Sequence, residues 1–300
     1  MIRKINRASL SIPALLLTTG LAFAQQNFQD VEPTGPDGGF FGIIQIAKAL
    51  GLAVPSSLGP CLSSAPAGAN PPVMPPGSAS QSSCPYFGPD VAITRAEAAY
   101  WIVKSLADEA QISNFLCATG GDPSGLTPWC SSGITASSFG DLGVAGAAIV
   151  NPFVAPNPAL GIAGVTNAQL MRYIEVMGRR GFTRGCGAST DGVLQFCPND
   201  QLNRAQIAVF IIRAKMDNVF PTSLSGVPLG SPYGDNFNAP SVPYFTDVLP
   251  TDPVWGPYFT YIQEMRALGI TNGTSPTTYS PGNEVTRKEI AAFVVRAFFL

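Results

Sequence analysis

The sequence predicts a mainly α-helical protein built from three diverged helix–loop–helix repeats joined by irregular, disulfide-pinned inserts. Two observations carry that expectation. A short motif recurs three times ahead of an apolar stripe at helical spacing, and a second motif precedes it each time across a glycine-terminated amphipathic segment.

The first motif is Phe87-Gly-Pro-Asp-Val-Ala-Ile-Thr94-Arg95-Ala-Glu97, Phe196-Cys-Pro-Asn-Asp-Gln-Leu-Asn203-Arg204-Ala-Gln206 and Tyr279-Ser-Pro-Gly-Asn-Glu-Val-Thr286-Arg287-Lys-Glu289. Thr94, Asn203 and Thr286 suit an N-cap, and Glu97, Gln206 and Glu289 stand at the capping-box distance. The stripes Trp101/Ile102, Phe210/Ile211 and Phe293/Val294 follow, which predicts helices over 95–107, 204–216 and 287–299.

The second motif is aromatic-x-Asp-aliphatic: Phe28 to Val31, Phe139 to Leu142 and Phe245 to Val248. Its aspartates Asp30, Asp141 and Asp247 read as turn or cap residues at the entry to the next helix. That helix is predicted over 39–50, 166–180 and 254–268, stopped by Gly51, Gly181 and Gly269, the residue type that adopts a left-handed C-cap at no steric cost.

Around the repeats the chain divides as follows. Residues 1–24 read as a signal peptide, with Arg3, Lys4 and Arg7 before a short apolar stretch and Ala22-Phe23-Ala24 as the cleavage signature. Repeat one covers 25–110 with an insert at 54–83. A linker at 111–135 holds Cys117 and Cys130. Repeat two covers 136–218 with an insert at 143–165, a Pro/Gly-rich linker spans 219–241, and repeat three covers 242–300. The aspartate-to-arginine distance is 40 residues in repeat three against 65 and 63 in the others, so repeat three is the most compact.

Six cysteines allow many connectivities. Pairing neighbours, Cys61 with Cys84, Cys117 with Cys130 and Cys186 with Cys197, is the simplest, because each pair brackets a Gly/Pro/Ser-rich stretch. Metal-type spacing is missing, so no metal site and no cofactor are expected. The chain contains no histidine, which removes histidine-dependent catalysis. A charged content of 12% with a formal charge of −2 and no basic block argues against nucleic acid as a partner. After signal removal, no segment reads as a membrane span, and the chain is expected to be exported to the cell envelope, at the cell surface or in the periplasm.

Taken together, Phe-x-Asp-Val, a helix ending at Leu-Gly-Ile, aromatic-x-Pro and Thr-Arg-Ala-Glu resemble the S-layer homology (SLH) family over almost the whole mature chain. The resemblance implies a pseudo-threefold helical bundle with grooves between neighbouring repeats. It implies non-covalent anchoring through those grooves to cell-wall polysaccharide or peptidoglycan-linked glycan, acidic or pyruvylated, with no enzymatic activity. By position, Arg95, Arg204 and Arg287 are then the anion-holding residues, and Gly51, Gly181 and Gly269 allow sugar to approach the backbone.

Each arginine also occupies the first turn of its helix, where free N–H groups and a guanidinium fork suit a carboxylate. The competing reading has the arginine facing solvent or paired with an aspartate such as Asp30 or Asp247. Trp255, present in repeat three alone, suits stacking on a sugar ring or anchoring the core. Two other functions stand beside glycan anchoring: an envelope protein-interaction module that binds no sugar, and a glycan-processing enzyme, which the scattered carboxylates do not favour.

Overall fold

The computed structural model describes residues 28–59 (except 29, 32, 35 and 36), 84–130 (except 128), 137–155, 164–216 and 242–300. The signal peptide, Cys61 and its pairing with Cys84, and the linker at 219–241 lie outside the described residues.

The protein is mainly helical. Its helices are α1 (Gly38–Ala49), α2 (Arg95–Leu106), α3 (Glu109–Ala118), α4 (Asn167–Arg179), α5 (Arg204–Met216), α6 (Phe259–Ala267) and α7 (Arg287–Phe298). Two small antiparallel pairs join them: β1 (Ser57–Gly59) with β2 (Cys84–Tyr86), and β3 (Gly187–Ala188) with β4 (Leu194–Gln195). Disulfides Cys117–Cys130 and Cys186–Cys197 are formed, and the second spans the β3–β4 hairpin.

Two elements differ from the sequence expectation. Helix α3 occupies ground assigned largely to the 111–135 linker; Asp108 and Gln111 close a full capping box and bury Ile112, Phe115 and Leu116. Helix α6 starts at Phe259, after a 3₁₀ turn over Gly256–Tyr258. Pro253 and Pro257 supply no amide there, and Asp252 accepts from the amides of Val254 and Trp255.

The helix stops follow the expected chemistry. Gly51, Gly181 and Gly269 take φ values of 71°, 74° and 72°, and the next residue, Leu52, Phe182 or Ile270, turns back into the core. Its amide bonds the carbonyl of Ala47, Met177 or Met265.

The aspartates of the second motif do something the sequence did not suggest. They do not cap the entry of the first helix. Each reaches forward to the loop before the second helix of its own repeat and accepts two backbone amides. Asp30 holds Phe87 and Gly88, Asp141 holds Phe196 and Cys197, and Asp247 holds Tyr279 and Ser280. The second residue of each clasp has positive φ: 70° at Gly88, 56° at Cys197 and 57° at Ser280. Beside each clasp the two motif aromatics pack, Phe28 on Phe87, Phe139 on Phe196 and Phe245 on Tyr279, at centroid distances of 5.1, 5.3 and 5.4 Å. One carboxylate and one aromatic pair thereby close each helix–loop–helix unit.

Between units, α2, α5 and α7 touch one another, and each also packs on the first helix of the next unit: α2 on α4, α5 on α6 and α7 on α1. The same backbone bonds recur around this hub. Arg95 and Ala96 amides bond the carbonyls of Asp200 and Pro198. Those of Arg204 and Ala205 bond Asn283 and Pro281, and those of Arg287 and Lys288 bond Val91 and Pro89. The three helix starts therefore satisfy one another's first-turn amides in a closed cycle.

Candidate functional site

That cycle brings the three predicted arginines together at the hub, and it changes what they can do. The two leading amides of each helix are already bonded, so no nest of free N–H groups awaits an anion. The side chains are buried as well, with Arg95, Arg204 and Arg287 exposed by 4%, 2% and 0%.

Two of the three guanidinium groups pair with the capping-box position of the next unit. Arg287 pairs with Glu97 and donates to the Val54 carbonyl at 2.5 Å. Arg204 pairs with Glu289, and its Nε donates to the Tyr279 carbonyl at 2.7 Å. Arg95 donates through Nε to the Phe196 carbonyl at 2.7 Å, and its Nη2 is buried without a hydrogen-bond partner; at the position equivalent to Glu97 and Glu289 the next unit carries Gln206. Burial pushes the Arg95 pKa down to about 10, partly offset by Asp200, Asp141 and Tyr258. The partners of Arg204 and Arg287 are thus glutamates of the capping-box positions, not the aspartates considered from sequence.

Aromatic rings complete each seat. The Arg287 guanidinium lies 4.8 Å from the Phe87 centroid, that of Arg204 lies 4.7 Å from Tyr279, and that of Arg95 lies 5.0 Å from Phe196. Glu97 is 1% exposed. Burial raises its carboxyl pKa, while Arg287 and a 3.3 Å bond from Trp101 Nε1 act in the opposite direction. Glu97 therefore does not reach back to the Thr94 amide, whereas Gln206 and Glu289 do bond the amides of Asn203 and Thr286.

Outside the hub the junctions between units differ. At the α7–α1 junction a cavity of about 200 Å³ opens. It is lined by Phe40, Arg204, Thr271, Asn272, Gly273, Glu289, Ala292, Phe293 and Arg296. Arg296 donates to the Ile270 carbonyl at 3.3 Å, and burial lowers its pKa. Two guanidinium groups against one carboxylate leave this cavity cationic, with Phe40 and Phe293 among its lining.

Of the other sequence candidates, Gly269 begins the loop that carries Asn272 and Gly273, and nothing lies within 4 Å of where its Cβ would stand. Gly51 has the same open surroundings. Gly181 is a helix stop. Trp255 is half-buried against Tyr258 and 3.1 Å from the Cβ position of Gly282, and it is not part of the cavity lining. Sequence reasoning missed Arg296 and Asn272. Arg296 lies two turns beyond Glu289 on α7, which puts both on one face of that helix, and this same-face spacing was the available signal.

Among the described residues there is no cluster of potential metal ligands and no helix long and apolar enough to cross a membrane. No curated protein matches the chain. The family model of the S-layer homology domain matches residues 244–291, from the aspartate clasp of the third unit into the first turn of α7 and beyond. Domains of this kind are non-catalytic modules that hold proteins to the cell envelope through cell-wall polymers. The chain thus carries, in its third unit, a segment that matches the S-layer homology domain.

Proposed function

We propose that the chain tethers itself non-covalently to the envelope by holding an acidic wall glycan in the α7–α1 junction. The observation that carries this reading is the cavity lined by Arg204, Arg296, Glu289 and Asn272 beside Phe40 and Phe293. A carboxylated or pyruvylated sugar has the matching pieces: an anion for the guanidinium groups, hydroxyls for Asn272 and Glu289, and an apolar face for the phenyl rings.

Of the three motif arginines, Arg204 has the role of anion holder. Arg287 braces the hub through Glu97, and Arg95 is an anion holder at the α5–α6 junction, where the facing carboxylate is replaced by Gln206. Gly269 shapes the cavity rim, Gly51 and Gly181 shape the equivalent loops, and Trp255 steadies the entry to α6. The recurring clasps and the closed hub cycle support the reading of three repeats in a pseudo-threefold bundle, each with a junction to its neighbour. The leader-like residues 1–24 and the two disulfides support export to the envelope.

Co-sedimentation with purified sacculi, before and after removal of wall polysaccharide, tests the proposal. Wild type is expected to sediment with intact sacculi only, and Arg296→Ala to reduce the bound fraction at unchanged melting temperature. Binding that survives polysaccharide removal, or that Arg296→Ala leaves untouched, refutes it.

A further inference from the structure

The α2–α4 junction is the counterpart of the cavity, and it is full. Aligning the repeats places Tyr100 opposite Ala292, Val54 opposite Asn272 and Pro55 opposite Gly273. Into that space runs the tail of the segment 149–154 from the second insert. The Phe153 ring packs 4.8 Å from Tyr100, whose own ring lies 5.6 Å from Tyr173, and 5.6 Å from the Arg287 guanidinium. Phe153 is 6% exposed. The Val154 amide donates to the Pro55 carbonyl at 3.2 Å, on the loop that matches the cavity rim.

The segment is not lying there by chance packing alone. Asn199 accepts from the Val150 amide at 2.8 Å and donates to the Ala148 carbonyl at 2.9 Å. Asn151 donates to the Val165 carbonyl at 2.6 Å and accepts from the Phe153 amide at 3.0 Å, which fixes the turn that aims the ring inward. A phenyl ring over a guanidinium, with a peptide edge bonded to the rim loop, fills the space with the same kinds of contact that a sugar ring would make.

We propose that Phe153 is a built-in occupant of the α2–α4 junction, so that this junction is closed to wall glycan and Phe153 sets how many ligands one chain can hold. This rests on the reading that the junctions are the glycan sites.

The test is isothermal titration of the mature chain with single repeat units released from the wall polysaccharide. It uses wild type, Phe153→Ala and Asn151→Ala, with melting curves and near-ultraviolet dichroism confirming the fold of each. Phe153→Ala is expected to titrate with one more site per chain than wild type, and Asn151→Ala, which frees the turn but keeps the ring, to show the added site at weaker affinity. If Phe153→Ala does not fold, Asn151→Ala alone decides. Wild-type binding with an unchanged site count in the folded variants overturns the plug and leaves the glycan reading standing. No binding by any of the three proteins overturns both, since a plug needs a site to close.

Discussion

Replacing Gln206 by glutamate should stabilise the protein, although it adds a charge close to the hub. Arg95 Nη2 is buried with no hydrogen-bond partner, and the equivalent capping-box residue of the next unit, Gln206, is neutral, whereas Arg204 and Arg287 each meet a glutamate at that position. Glu289 shows that one carboxylate can serve both tasks: Oε2 takes the Thr286 amide at 3.0 Å and Oε1 takes Arg204. Gln206 already holds the Asn203 amide at 3.3 Å, so glutamate has the same place to stand. Satisfying a buried charged donor contributes about 1–3 kcal/mol, and an acid in the first helical turn adds about 0.3–1 kcal/mol. Desolvation of the half-buried carboxylate takes back part of this. The expected net gain is about 1–2 kcal/mol, or about 2–6 °C in melting temperature for a chain of this size. A double-mutant cycle with Arg95→Met isolates the coupling. If Gln206→Glu melts at or below the wild-type temperature, or if its gain survives Arg95→Met, the account of the hub as a ring of arginine–carboxylate seats is wrong.

Three further outcomes follow from the same geometry. Glu97→Gln strands the fully buried Arg287 charge and should cost about 3–5 kcal/mol in a denaturant titration; a loss below about 1 kcal/mol would mean the pair is dispensable. Asp247→Ala leaves the amides of Tyr279 and Ser280 without their acceptor and should cost about 2–4 kcal/mol, and Asp247→Asn, which keeps one acceptor oxygen, should cost less; equal losses would refute the two-amide clasp. Burial lowers the Lys48 pKa from 10.5 to about 8, so the unfolded chain binds more protons across that window and stability rises with pH through it. Lys48→Met should therefore melt higher than wild type at pH 7, with the advantage shrinking as pH climbs from 8 to 10.5; a constant difference would remove Lys48 as its source.

How much of this was legible in the sequence depends on the range of the interaction concerned. The repeat helices could be read because their signals are local: a cap with a glutamate or glutamine three residues on marks the start of each second helix, and a stopping glycine marks the end of each first one, whereas the late start of α6 is set by its prolines. Helix α3 carries the same signals, with Asp108 ahead of Gln111 and then Ile112, Phe115 and Leu116, but it recurs in no other repeat. The aspartate clasps were half legible. Recurrence marked Asp30, Asp141 and Asp247, but their targets lie more than 30 residues downstream, and nothing in local spacing announces that reach. The plug at Phe153 was invisible, since its partners Tyr100, Pro55 and Arg287 come from two other units.

The arginines show most clearly why recurrence alone misleads about function. A cation at the first position of a helix is mildly unfavourable toward the helix dipole, so its threefold appearance invites a ligand as the explanation. The structure supplies another. The first-turn amides are spent on the neighbouring unit, and two of the three guanidinium groups meet a glutamate of that neighbour, so the unfavourable local choice is offset by a contact between units. A residue repeated for such a reason ties the three helix starts to one another whether or not any sugar is bound. Ligand chemistry must then be sought where the repeats diverge. At the α7–α1 junction small Ala292 lines a cavity, at the α2–α4 junction Tyr100 and Phe153 pack together, and in the third case Gln206 leaves Arg95 without the paired glutamate that Arg204 and Arg287 have. Those differences, and not the shared motif, are what a binding measurement on single-site variants should resolve.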